Sequence, residues 1–172
     1  MNTKDIALTT VFAALYATLV IALAPISYGP LQLRVADAMI PLAMVFGWPV
    51  VTGVTIGCFV GNFYGQLGAL DYLLGPVANL VAGTIVYLLR SRPLLASSLG
   101  ALPIGIIVGS YLWTFFPPPE VFALPEWLAM MVSITLSSLV AITMIGYTVL
   151  AVLSRPNIIE PLKSRGLKVI SQ

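Results

Sequence analysis

The sequence predicts an all-α integral membrane protein, a single transmembrane domain of six helices. Three observations carry that prediction. Of the 172 residues, 59% are hydrophobic and 8% charged, with a mean hydropathy of +1.03. An ordinary soluble domain carries about 25% charged residues, so this chain cannot clothe a water-facing surface. Its apolar runs are separated by short Gly- and Pro-containing breaks, at the length a bilayer requires, ~20 residues per helix at 1.5 Å rise. Finally, the few charges cluster at the breaks and the C-terminal end, unequally between the two sides.

The first helix is expected over about 5–24. Lys4 before it and Ala22-Leu23-Ala24 at its end imitate a secretory signal with a cleavage site. The run from Ile6 to Ala24 exceeds an h-region of roughly 7–15 residues, however, and Pro25 follows at once, so the segment reads as a retained membrane helix. It carries two stripes of small residues at four-residue spacing, Thr9-Ala13-Ala17 and Thr10-Ala14-Thr18-Ala22. One suffices to pack the helix within its own bundle; the other either does the same or meets a second subunit.

A break over 25–33, with Ser27, Gly29 and Pro30 supplying turn chemistry, leads into a second helix over about 34–46. Gly47-Trp48-Pro49 then turns the chain into a third over about 50–64. Some 13 residues reach only ~20 Å, short of the ~30 Å hydrocarbon core. Short or broken helices at membrane depth are tolerated where they line a cavity or are buried in protein, so these two helices mark a site, with local thinning of the bilayer as the alternative.

The third helix contains Gly53-x-x-x-Gly57-x-x-x-Gly61. The fourth, expected over about 71–89 after the turn Gly65-Gln66-Leu67-Gly68, continues with Gly75, Asn79 and Gly83 at the same spacing. These stripes read as packing surfaces. Asn79 lies on one stripe with Asp71, so both face one inward side, unless Asp71 merely caps its helix. Asn62, at the far end of the third helix, falls near them. A fifth helix over about 94–116, a sixth over about 126–153 and a basic tail over 154–172 complete the chain.

Six spans bring both termini, the 47–49 connection and the 90–93 connection to one side. Seven of the eight basic residues fall there: Lys4, Arg90, Arg92, Arg155, Lys163, Arg165 and Lys168; Arg34 alone falls on the other. By the positive-inside rule both termini face the cytoplasm, in a multi-pass protein of the cell membrane. The tail reads as a topology determinant ahead of an anionic-lipid site.

Arg34 and Asp37 are three residues apart, close enough to pair, and a membrane-embedded pair is costly unless it locks a loop or faces a polar ligand cavity. On the same outer half are Tyr28, Gln32, Asn62, Asp71, Asn79, Tyr111, Trp113 and Glu120. Carboxylates, amides and aromatics together suit a flat, hydrogen-bond-rich heterocycle, neutral or cationic. The polar residues do not continue to the cytoplasmic side, which favours an outward-facing cup over a solitary facilitator or channel. An aspartyl pair of Asp37 and Asp71 is the weakest alternative, since capping or ligand contact accounts for each acid. With no histidine and one cysteine, Cys58, no disulfide, metal centre or His-based catalysis is supported, and no cofactor is expected. The chain has no phosphate-binding Gly-rich Lys loop, and its few basic residues do not suit nucleic acid.

The run PISYGPLQLRVADAMIPLAMVFGWPVVTGVTIGCFVGNFYG, followed by GALDYLLGPVANLVAG, resembles the QueT family of substrate-binding S components of energy-coupling factor (ECF) transporters. The resemblance is close over the first four helices and rests mainly on length and topology beyond them. It implies a six-helix protein that captures a queuosine precursor, a 7-deazaguanine such as preQ1, from outside and docks on a transmembrane T subunit driven by two ATPases. It also implies that Ala13 and Ala17 form the docking face and that residues 26–33 form a lid. Beneath Tyr28-Gly29-Pro30, the ligand would be surrounded by Arg34, Asp37, Asn62, Asp71 and Asn79. One departure is Arg34-Val-Ala-Asp37-Ala, where the family pattern is expected to read R-x-x-E-A. The shorter carboxylate leaves open which deazapurine, or other vitamin-like heterocycle, binds.

Overall fold

A computed structural model describes residues 2–29, 31–119, 124–164, 166, 169 and 170, and among these every regular element is helical. Helix α1 spans Thr3–Ala22, starting before residue 5 because Asn2 and Asp5 form a capping box: the Asn2 side chain accepts from the Asp5 amide at 2.9 Å and the Asp5 carboxylate from the Asn2 amide at 3.0 Å. A single turn, α2 (Ala24–Ser27), follows. The second expected helix is a 3-10 helix over Val35–Leu42 continued by α3 (Ala43–Phe46). Then come α4 (Trp48–Gly65), α5 (Ala69–Leu88), α6 (Pro93–Leu112) and α7 (Glu126–Leu153), the last with a π-helical stretch over Leu139–Gly146. The tail forms α8 (Pro156–Ser164). Arg165 and Lys168 of that tail lie outside the described residues.

Four of these helices, α1, α5, α6 and α7, are long and apolar enough to cross a membrane. The expected shortness of the third helix is not found: α4 has 18 residues, because Trp48 and Pro49, read as a turn, are its first turn. Proline is at home there, where its missing N–H costs no hydrogen bond. Only Val35–Phe46 remains short. The described exterior is rich in large apolar side chains, with Phe63, Leu73, Leu88 and Met144 all more than 60% exposed, as on a protein solvated by lipid.

The glycine stripes set the packing. A Cβ on Gly53 would lie 2.7 Å from Phe12 Cβ, one on Gly57 would lie 2.7 Å from the Ala13 carbonyl oxygen, and one on Gly61 would lie 3.0 Å from Val20. Both numberings climb together, so α1 and α4 are parallel at van der Waals contact. This close approach also shows which side of α1 faces the bundle. Thr9 and Ala17 are buried in the chain's own bundle and Ala13 presses its backbone on Gly53 and Gly57, whereas Thr10, Ala14, Thr18 and Ala22 are exposed.

Because α1 and α4 run the same way, Val35–Phe46 must return the chain between their opposite ends. Two features let so few residues do it. The segment after Tyr28 descends into the bundle: the Tyr28 ring lies at Gly65, at the far end of α4, while Arg34 already reaches Cys58, two turns deeper. The 3-10 helix then rises ~2.0 Å per residue rather than ~1.5 Å. Gly75 and Gly83 bring α5 antiparallel to α4, at Asn62 and Val51 respectively, and Gly105 and Gly109 seat α6 on Thr135 and Met131 of α7. Gly146, in the π stretch, lies on the Ala38 carbonyl and Pro41, so the two irregular helices pack on each other.

These directions put the N-terminus, the connection at Gly47 and the α5–α6 connection at one end, with Lys4 Nζ donating to the Gly166 carbonyl at 3.1 Å and the Ile170 amide to the Val45 carbonyl at 2.9 Å. At this end the Trp48 and Tyr87 rings meet at 5.7 Å and the Arg90 guanidinium lies 4.9 Å over Tyr87, the aromatic and basic composition of a membrane interface.

Candidate ligand-binding site

Six polar or charged residues from the segment 32–37 and from α4 and α5 meet inside the bundle: Gln32, Arg34, Asp37, Asn62, Asp71 and Asn79, each buried. Such groups survive in a low-dielectric interior only when their hydrogen bonds are provided. Asp37 faces the middle of α1 and α5. Its Oδ1 accepts from the Tyr16 hydroxyl at 2.5 Å and from Asn79 Nδ2 at 3.5 Å, and Asn79 Nδ2 also donates to the Tyr16 oxygen at 2.8 Å. The expected Arg34–Asp37 pair is therefore replaced. Arg34 puts Nη1 on Cys58 Sγ at 3.4 Å, and its Nε and Nη2 have no hydrogen-bond partner among the described residues. The reason is local: Arg34 precedes the 3-10 helix with a non-helical backbone (φ −88°, ψ 86°), so the i, i+3 spacing does not bring the two side chains together as it would in a helix.

Asp71 is not merely a cap. It lies in the first turn of α5 but points inward, with Oδ1 accepting from the Tyr111 hydroxyl of α6 at 2.8 Å. Asn62 Nδ2 donates to the Asp71 carbonyl at 2.8 Å, directly opposite Gly75, whose absent side chain makes the room. Gln32 is held at φ 38°, a left-handed conformation a glutamine adopts only under constraint, and its side-chain Nε2 is buried without a hydrogen-bond partner among the described residues. Above these groups the Tyr28 ring stands 6.0 Å from the Arg34 guanidinium, with its hydroxyl donating to the Gly61 carbonyl. A cavity of about 770 Å³ opens there, lined by Tyr28, Gly29, Gln32 and Pro117–Pro119 among others, within the range of small-molecule sites.

Three predicted residues lie apart or outside the described residues. Trp113 is exposed on the bundle exterior with its indole N–H on the Ser110 carbonyl, the posture of an interfacial anchor. Glu120, and Pro30 of the lid, lie outside the described residues. Tyr16 and Cys58 were missed as members of the cluster. A tyrosine in the middle of an apolar helix needs a partner for its hydroxyl, which was the available signal for Tyr16; nothing in the sequence marked Cys58 as a neighbour of Arg34.

A family model described as QueT transporter matches residues 6–155. The chain belongs to the QueT transporter family. It is a family of transporters rather than enzymes. Over 93 residues the chain is also 36% identical to the queuosine precursor transporter QueT of Lactococcus lactis subsp. cremoris (strain MG1363), a match covering 53% of this chain and 54% of that protein. The chain thus matches about half the length of that relative. No solved structure matches. Membership in this family accords with the four helices that are long and apolar enough to cross a membrane, and the buried polar cluster beneath Tyr28 is the candidate ligand site.

Proposed function

We propose that the protein is the substrate-binding S component of an ECF-type importer and that it captures a queuosine precursor, a 7-deazaguanine such as preQ1. The observation that carries this reading is the cluster of two acids, one arginine and two asparagines buried in an otherwise apolar bundle, its arginine 6.0 Å from Tyr28, which lines a cavity. A deazaguanine presents paired N–H donors beside a ring carbonyl, and a carboxylate with a neighbouring arginine is the matching set. One carboxylate takes the paired N–H edge of the base. The relative's function as a queuosine precursor transporter supports the substrate class.

In this reading six spans cross the membrane, α1, Val35–Phe46, α4, α5, α6 and α7. The cup faces outward and both termini are cytoplasmic, in keeping with the basic residues at the opposite end. Energy comes from two ATPases acting through a transmembrane T subunit, because the chain has no nucleotide-binding loop of its own. Helix α1 is the docking helix, and the exposed Thr10-Ala14-Thr18-Ala22 stripe replaces Ala13 and Ala17 as the surface a T subunit reaches.

Thermal denaturation of the purified protein with preQ1, preQ0, queuine, guanine, riboflavin and thiamine tests the substrate. A ligand at a hundredfold excess over Kd adds ~2.7 kcal/mol to the native state, so preQ1 or a close analogue should raise Tm while riboflavin and thiamine leave it unchanged. Stabilisation by riboflavin or thiamine alone would refute the assignment.

A further inference from the structure

The buried cluster divides into a closed half and an open half. In the closed half, Tyr16, Asp37 and Asn79 satisfy one another across α1, the 3-10 helix and α5. In the open half, Arg34 Nε and Nη2, Asn62 Oδ1 and Asp71 Oδ2 are buried without a hydrogen-bond partner among the described residues, on residues 6% exposed or less. Buried polar groups left unpaired are costly, and four such atoms on three side chains need a common cause.

The open half is contiguous. Arg34 Nη1 sits on Cys58 Sγ, and Cys58 and Asn62, one turn apart on α4, both face Gly75. Asn62 in turn holds the Asp71 carbonyl, one turn before Gly75 on α5. Cys58 occupies the one terminal nitrogen of Arg34 that is not part of the free edge. The remaining Nε and Nη2 form the planar side-on fork of a guanidinium, two parallel donors. Along the same chain of contacts two acceptors are also unpartnered among the described residues, the free oxygens of Asn62 and Asp71.

Building on the proposed function, we propose that the open half reads the acceptor–donor–donor edge of a guanine-type base, Arg34 on the ring carbonyl and Asp71 with Asn62 on the ring N–H and exocyclic amine, while Asp37 is a positioning residue. Adenine-type bases, with an amine in place of the carbonyl, would present a donor to the Arg34 fork and are excluded by the same groups. Tyr111 keeps one Asp71 oxygen occupied and so aims the other.

The test uses the purified full chain titrated with 7-deazaguanine and with 7-deazahypoxanthine, which lacks the exocyclic amine. Wild type should prefer 7-deazaguanine by at least about tenfold, the cost of leaving a buried acceptor unpaired. Asp71→Asn should weaken 7-deazaguanine by roughly 30-fold or more and collapse that preference, whereas Asp37→Asn should keep it. Loss of the preference in Asp37→Asn but not in Asp71→Asn would overturn the assignment. Ligand-free stability decides the division independently of the substrate. Asp37→Asn should lower Tm by weakening two charge-assisted hydrogen bonds, and Asp71→Asn, which keeps the Tyr111 contact, should leave Tm unchanged or raise it. An equal fall in both would show that both acids are scaffold and overturn the proposal. If neither base binds wild type, the substrate reading fails and the edge assignment fails with it, while the scaffold role of Asp37 still stands or falls on the ligand-free Tm.

Discussion

Gly75 shows how much of the site depends on what a residue lacks. A Cβ there would stand 2.3 Å from Asn62 Nδ2 and 3.5 Å from Cys58 Sγ, so Gly75→Ala must push the Asn62 amide off the Asp71 carbonyl. Overpacking of this kind costs ~1–3 kcal/mol, and the displaced amide should reduce preQ1 affinity about tenfold or more, one lost hydrogen bond in a desolvated site. Calorimetric titration measures the second effect and thermal denaturation the first; unchanged affinity would mean Asn62 does not touch the ligand. Tyr111→Phe removes the donor that aims Asp71, a smaller perturbation: affinity should fall several-fold, with a loss confined to ligands bearing the exocyclic amine. The identities of these residues were legible in the sequence, because a polar side chain within an apolar run stands out. Their bonds were not. Arg34 and Asp37 looked like partners at three-residue spacing, yet each found a different neighbour contributed by a distant part of the chain.

At the level of elements, α1 has two faces with different duties. Ala17 is buried and Ala13 pressed on α4, so a tryptophan at either position should unfold or loosen the isolated protein, visible as a fall in Tm and loss of ligand binding. Ala14 and Thr18 are exposed, and Ala14→Trp or Thr18→Trp should leave Tm and affinity within error while abolishing uptake in cells that hold the complete transporter. Normal uptake in both exposed-face variants would move the docking surface off α1. Two stripes of small residues were apparent from spacing alone, but spacing cannot say which faces inward. That was decided by the Gly53-Gly57-Gly61 face of α4, which takes in the backbone of α1 at Thr9 and Ala13 and the side chains of Phe12, Tyr16 and Val20.

For the molecule as a whole, the parallel course of α1 and α4 requires Val35–Phe46 to traverse the bundle, which places the N-terminus and α8 at one end. Cysteine labelling in intact cells, in a Cys58→Ala background, should therefore leave residues 158 and 162 unlabelled from outside and label residue 66; external labelling of 158 would overturn the cytoplasmic placement. The sequence alone determined the membrane class, the family and the approximate extent of the long helices. Each follows from hydropathy and local motif, quantities that a chain carries with it whatever it packs against. Tertiary structure decided the rest: that the third segment is a full-length helix and the second a stretched 3-10 return, that Tyr16 and Cys58 belong to the polar cluster, and that both acids are buried while one Asp71 oxygen has no hydrogen-bond partner among the described residues. Hydrogen-bond partners in a bundle are set by which helices come within reach, and in a lipid-solvated protein that reach is governed by glycine contacts between segments far apart in the chain.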